Sequence, residues 1–393
     1  MGSNVNILPN IRARGRGAVG APKSRFNRQE RDRFDDGWDI EEEAQVLRTC
    51  VTEEPAKSAI SYNASPDLPF DRSINAYRGC EHGCVYCYAR PSHNYLDLSS
   101  GLDFETKLFA KTGVVDHLRR ELARPKYQVA PIAIGTNTDP YQAIEGRYQT
   151  TRQILELMLE TRHPVAIVTK GAMIERDIDL LVALAEQGLT RVGISVTSLD
   201  RTLSRRMEPR APDPKRRLAI IQRLSDAGIP VRIMASPMIP SLTDHELEGI
   251  LQAGRDHGAT SASWIMLRLP HDTGALFEDW LTRHYPNRRD RVMGHMRAMY
   301  DGKLYDASFA TRMRGRGFYA ETIQIRFQVA IKRFGLAERV AKLRSDLFVA
   351  PREPSAQGLL SAIIISMSVN TNPTVFIILA VLGTFFSGPL QSS

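Results

Sequence analysis

From residue 73 onward the chain alternates short apolar, β-branched runs with longer segments whose apolar residues recur every three or four positions. The runs fall at 73–77, 130–135, 165–170, 191–197, 231–235 and 261–269, and short runs bounded by turn formers read as buried strands. Between them lie helical patterns at 105–123, 150–161, 176–188, 214–228 and 243–257, the last three ending in Gly or beside one, as helix C-termini do. Six strand–helix units in tandem imply parallel strands joined by right-handed crossovers. The class is α/β, either a doubly wound sheet or a barrel. No Gly-x-Gly-x-x-Gly follows the first strand, which weakens the dinucleotide-binding version. Six units also fall short of the eight of a closed barrel.

The flanks differ in kind. Residues 1–50 form a basic Gly/Arg-rich arm with little apolar content, expected to be mostly disordered. An extended lead-in at 51–72 carries three prolines, the barrel or sheet occupies 73–285, and 286–350 reads as a basic helical extension. Past Glu353 no charged residue occurs. In that tail, 351–393, the apolar runs 359–365 and 375–386 are split by Asn370-Thr371-Asn372-Pro373 into pieces shorter than the ~20 residues that span a bilayer. An aberrant or fused terminus is expected there rather than a membrane anchor.

The net charge of +8 suggests nucleic acid until its distribution is considered. Arg12, Arg14, Arg16, Lys23, Arg25, Arg28, Arg31 and Arg33 stand against Glu30 and Asp32, so residues 1–34 carry +6 and the rest only +2. Contact with RNA or DNA phosphates is therefore an expectation for the arm alone, against the simpler reading of a solvated tail. With 42% hydrophobic and 24% charged residues the bulk is that of an ordinary soluble globular protein. Three clustered cysteines beside an isolated Cys50 make no disulfide framework, and the N-terminus has no apolar run of signal-peptide length, so a reducing cytoplasm is expected.

Those three cysteines lie in the stretch 77–90, Tyr-Arg-Gly-Cys-Glu-His-Gly-Cys-Val-Tyr-Cys-Tyr-Ala-Arg. Three and then two residues separate Cys80, Cys84 and Cys87, so their sulfurs can converge without help from a distant part of the chain. Thiolates suit zinc and iron–sulfur clusters. Zinc would need a fourth protein ligand, for which His82 and His93 are near in sequence; a cubane cluster on three cysteines instead leaves one iron open to a small molecule. A Cys84–Cys87 redox pair is the remaining alternative. CxxxCxxC with an aromatic, Tyr86, before the last cysteine resembles the signature of the radical S-adenosylmethionine (SAM) enzymes. The resemblance implies a [4Fe-4S] cluster on Cys80, Cys84 and Cys87, SAM on its open iron, a flavodoxin- or ferredoxin-type electron donor, and a partial (β/α)6 barrel of the TIM type.

In such a barrel the working face is the C-terminal end of the strands. Those ends read Gly135-Thr136-Asn137-Thr138-Asp139-Pro140-Tyr141; Lys170 beside Gly171; Ser195, Thr197 and Ser198; Ala235-Ser236-Pro237; and Arg268-Leu269-Pro270. The Gly-Cys-x-His-Gly-Cys-x-Tyr-Cys-Tyr form of the loop, Thr138-Asp139-Pro140-Tyr141-Gln142, Thr169-Lys170-Gly171 and Ile194-Ser195-Val196-Thr197 resemble the branch that includes spore photoproduct lyase and its uncharacterised bacterial relatives. That likeness implies that Tyr86, Tyr88, Thr136, Thr138, Lys170 and Ser195 surround SAM. One departure stands out: the lyase's hydrogen-donating cysteine in the loop after the second strand is replaced here by Thr136 or a neighbour. Cys50 would substitute only if the lead-in folds over the barrel mouth. The expected activity is therefore radical SAM chemistry on an unknown substrate, with a zinc-bearing nucleic-acid binder and a DNA photoproduct lyase-like repair enzyme as alternatives.

Overall fold

The computed structural model describes residues 16–18, 20, 22, 48–309 and 311–351. Its strands are β1 (Cys50–Pro55), β2 (Ser61–Tyr62), β3 (Arg72–Ile74), β4 (Tyr77–Arg78), β5 (Lys107–Thr112), β6 (Ile132–Ile134), β7 (Val165–Thr169), β8 (Thr190–Ser195), β9 (Val231–Met238) and β10 (Ser261–Met266). Its helices are α1 (Leu102–Thr106), α2 (Val114–Leu122), α3 (Glu145–Tyr148), α4 (Thr150–Glu160), α5 (Ile178–Glu186), α6 (Arg201–Met207), α7 (Pro214–Asp226), α8 (Leu247–Asp256), α9 (Thr273–His284), α10 (Pro286–Met299) and α11 (Gly317–Phe334).

The main sheet runs β10-β9-β8-β7-β6-β3-β2, and β3, β6, β7, β8, β9 and β10 are parallel neighbours in chain order. Each crossover steps one place in the same direction, so the winding never reverses. A doubly wound sheet requires a reversal at its switch point, and a barrel does not. The fold is the partial (β/α)6 barrel, with β2 added antiparallel at one edge.

Side chains alternate along these strands as the pleat requires. In β7, Val165, Ile167 and Thr169 are buried, while Ala166 and Val168 are half-buried, and Val168 and Thr169 at the strand's end line the cavity. In β9 the same alternation turns Met234 and Ser236 inward. The opposite edge is closed by the C-terminal extension. The Met313 carbonyl accepts from Met266 N–H at 2.9 Å, Ala337 bridges Ser261, and Phe327 of α11 packs on Trp264. Across the open side, Asp67 of the lead-in and Arg312 form a two-pronged ion pair at 2.5 and 2.6 Å.

One helix expected from the pattern is corrected. Residues 105–123 are not continuous: α1 ends at Thr106, Lys107–Thr112 is a strand, and α2 begins after Gly113, whose φ is +70°. The lead-in supplies the reason, because β1 pairs parallel with β5 over six residues and β4 pairs with β5 on its other side. The apolar tail and most of the N-terminal arm lie outside the described residues.

Candidate functional site

The cysteine loop is held by groups distant in sequence. Its turns pass through Gly79 and Gly83, with φ of +74° and +68°, and Cys80 N–H donates to the Phe104 carbonyl at 2.9 Å. Arg90, fully buried, donates to the carbonyls of Cys84 (2.9 Å), Gly83 (3.2 Å), Ser100 (3.1 Å) and Gly101 (2.9 Å), and to the Glu105 carboxylate at 2.5 Å. Glu105, equally buried, also accepts from the backbone N–H groups of Gly17 (2.9 Å) and Ala18 (2.8 Å). A short piece of the N-terminal arm is thus seated on the loop. Arg16 is buried there, donating to the Glu105 carbonyl, so this one of the arm's basic residues is not offered to solvent.

On the other flank, Val85 N–H donates to the Met207 carbonyl at 3.0 Å and Gln142 spans the loop, accepting from Glu81 N–H and donating to the Gly79 carbonyl. His82 faces Asp139 at 3.4 Å. Asp139 also accepts from the Thr169 hydroxyl (2.6 Å) and Lys170 N–H (2.8 Å). Burial alone would raise its carboxyl, but His82 and these hydrogen bonds outweigh that and hold it well below the usual carboxylate range. His93 is engaged elsewhere, through Nε2 and the Lys107 carbonyl at 2.9 Å and an edge contact on Phe104.

Loop and strand ends enclose a cavity of about 260 Å³, open on one side. All nine residues expected at the site line it: Cys80, Cys84, Cys87, Tyr86, Tyr88, Thr136, Thr138, Lys170 and Ser195. The three cysteines therefore border the same cavity as the hydroxyls and the ammonium. Burial pushes the Cys84 thiol up to about 12, so an electropositive partner is needed to keep its sulfur as thiolate. Among the described residues no group of three His, Cys, Asp or Glu side chains is drawn close enough to hold a single metal ion. The Thr138 hydroxyl donates to the Tyr77 carbonyl (3.2 Å) and that of Ser195 to the Ser236 carbonyl (2.9 Å), leaving oxygen lone pairs as acceptors.

A carboxylate absent from the sequence-based set organises the floor. Glu208, just after α6, is buried and accepts from Arg217, from the Tyr86 hydroxyl and from Thr197 (2.9 Å), with Lys170 Nζ at 3.9 Å. Burial pushes its carboxyl up, but the charges of Arg217 and Lys170 and the hydrogen bonds prevail and hold it at about 2. Lys170 is the reciprocal case: burial lowers its ammonium, while the Cys84 sulfur and Glu208 raise it further, and the net shift is upward. Tyr88 hydrogen-bonds the Thr136 carbonyl, and the Arg268 guanidinium stacks 3.9 Å from its ring centre. Cys50 is exposed at the start of β1 and does not line the cavity, although Leu68 and Phe70 of the lead-in do.

Residues 74–253 match the family model of the radical SAM superfamily. An uncharacterised protein of Mycobacterium tuberculosis and its counterpart in Mycobacterium bovis are each 40% identical over 252 residues, covering 63% of this chain and 73% of the relative. The chain belongs to the radical SAM superfamily. An uncharacterised protein of Methanocaldococcus jannaschii is 30% identical over 176 residues, 44% of this chain and 62% of that one. In fold this radical SAM protein is similar to spore photoproduct lyase, with a TM-score of 0.50 and 16% identity over 73% of this chain and 80% of that one. That enzyme has been solved with bound AdoMet and dinucleoside spore photoproduct. Radical SAM enzymes generally use a [4Fe-4S] cluster and SAM, and the donor set here, three cysteines of one loop lining a single cavity, fits that cluster by its chemistry.

Proposed function

We propose that Cys80, Cys84 and Cys87 hold a [4Fe-4S] cluster at the barrel mouth and that SAM binds beside it among Tyr86, Tyr88, Thr136, Thr138, Lys170 and Ser195. The observation that carries this is the convergence of one sequence-local cysteine loop and three separate strand ends on a single cavity. When bound, the pair supplies reductive cleavage of the sulfonium to methionine and a 5′-deoxyadenosyl radical, which takes a hydrogen atom from a substrate not yet identified. The protein's part is to bind, orient and exclude water. Val85, fully buried, and Tyr86 screen the loop from solvent, and a screened site keeps a cluster's potential low. Lys170 stays protonated and offers its charge to a carboxylate or ribose oxygen, while Glu208 fixes both Lys170 and the Tyr86 hydroxyl. A low-potential donor of the flavodoxin or ferredoxin type would supply the electron, in a reducing compartment such as the cytoplasm. Among the described residues no helix is long and apolar enough to cross a membrane.

Two rivals find less support. A closed zinc site needs a fourth protein ligand, and the two histidines near the loop, His82 and His93, have other partners in Asp139 and the Lys107 carbonyl. A photoproduct lyase-like reaction needs a hydrogen donor, but among the described residues the cavity's cysteines are the three cluster candidates, and Thr136 offers only a hydroxyl.

Anaerobic reconstitution should give brown protein with about four irons per chain and 5′-deoxyadenosine on reduction with dithionite. Cys84→Ala should lose both. Wild-type protein that carries zinc, or carries iron without forming deoxyadenosine, would overturn the reading.

A further inference from the structure

We infer that the substrate carries an oxyanion, a carboxylate or a phosphate, and that Arg268 is its anchor; this rests on the cofactor reading above. The cavity has two unlike walls. One is polar, with Thr138, Asp139, Lys170 and Ser195; the other, toward the open side, is built from Leu68, Phe70, Ile265, Leu267 and Met313. Three cationic or basic side chains reach the lining, and two have carboxylate partners inside the protein, Lys170 with Glu208 and His82 with Asp139. The third, Arg268, has no carboxylate within ion-pair distance among the described residues.

Its close partner is Tyr88, through the ring face and a side-chain hydrogen bond. The guanidinium lies 3.9 Å from the centre of the Tyr88 ring, and Tyr88 is itself tethered to the Thr136 carbonyl, so the cation is held flat and in place. Tyr88 takes the face of the guanidinium and one side-chain hydrogen bond, which leaves the rest of the in-plane N–H donors, the part that matches carboxylate and phosphate oxygens, for a ligand. Asp67, paired with Arg312, acts on Arg268 only at longer range, and a half-buried cation against a mostly apolar wall gains from an opposite charge that joins it directly. The apolar residues around it fit an aliphatic or flat body attached to that anion.

The test uses reconstituted holoenzyme, anaerobically, with hexyl phosphate, hexanoate and hexanol as probes and S-adenosylhomocysteine as the cofactor control. At least one anionic probe should bind about tenfold or more tightly than hexanol, and which one does so separates phosphate from carboxylate. Arg268→Gln should remove that preference and Arg268→Lys retain part of it, while affinity for S-adenosylhomocysteine stays within about twofold in folded variants. Equal binding of the three probes, or a preference that survives Arg268→Gln, overturns the inference. So does a parallel loss of S-adenosylhomocysteine affinity, which would make Arg268 a cofactor contact. Absence of iron or of deoxyadenosine in the wild type would instead sink the cofactor reading, a separate readout.

Discussion

Replacing Glu105 by Gln tests whether the cysteine loop is held from behind by a buried charge. Glu105 and Arg90 are both fully buried, and the carboxylate accepts from Arg90 at 2.5 Å and from Gly17 and Ala18 N–H at 2.9 and 2.8 Å. An amide at this position keeps the shape, removes the negative charge and turns one acceptor into a donor facing other donors. Breaking a buried pair by removing one partner costs about 3–5 kcal/mol. At about 2 °C per kcal/mol for a protein of this size, the melting temperature should fall by roughly 6–10 °C. Anaerobic thermal unfolding measures this, with iron content followed in parallel, because Arg90 also holds the carbonyls of Gly83 and Cys84. The double variant Arg90→Met, Glu105→Leu sharpens the test. Removing both charges should recover part of the loss, but the two arm N–H groups would then be orphaned at about 1–3 kcal/mol each. A drop below about 1 kcal/mol in Glu105→Gln, or full recovery in the double variant, would refute the reasoning.

Three further outcomes follow from other parts of the structure. Lys170→Met should weaken SAM binding about 10–100-fold, the worth of one charge-assisted hydrogen bond, while leaving iron content near wild type; unchanged SAM affinity by equilibrium dialysis would remove Lys170 from the cofactor site. His163 is fully buried between Tyr127 and Phe348, hydrogen-bonded to the Tyr127 hydroxyl at 2.8 Å, and burial lowers its imidazole to about 4. The unfolded chain takes up that proton first, so stability is full above about pH 6.5 and falls toward pH 4; it should drop by about 3 kcal/mol, and His163→Gln should flatten this part of the pH–stability curve. Arg312→Ala removes the ion pair with Asp67 across the open side; stability should fall by only about 1 kcal/mol, whereas amide exchange at 63–70 should quicken clearly, and unchanged exchange there would show that the pair does not close the seam.

The alternation of strands and helices, and with it the barrel, was legible because parallel strands packed under helices must be short, apolar and spaced by helical segments. The segment 105–123 misled the pattern for a tertiary reason. Leu108 and Ala110 are buried, and Lys107 and Lys111 are not, a period of two that also fits within a helical register when read alone. Pairing with β1, nearly sixty residues upstream, and with β4 on the other side selects the strand. That the cysteines and the strand-end residues would line one cavity was legible because each is announced by its neighbours in sequence. Glu208 and Glu105 could not. Neither stands at a strand end or in a motif, and each acquires its role through an arginine that the fold delivers to it.

Those two carboxylates make one argument together. Arg90 with Glu105 grips the backbone of the cysteine loop from the side of α1, while Arg217 with Glu208 grips the Tyr86 side chain from the side of α6 and α7. Buried ion pairs are weak contributors to net stability, since desolvation consumes most of the attraction and well-packed apolar residues often do as well. Their value here is positional. An apolar plug could fill the same volume, but it could not fix the Cys84 carbonyl, the Tyr86 hydroxyl and the Lys170 ammonium at once. A loop that must present three sulfurs to one wall of a cavity cannot be left to hydrophobic packing alone, because such packing tolerates shifts that a fixed array of hydrogen bonds does not. Two buried charge pairs on opposite flanks turn a short loop, with few backbone hydrogen bonds of its own, into a rigid part of the barrel mouth.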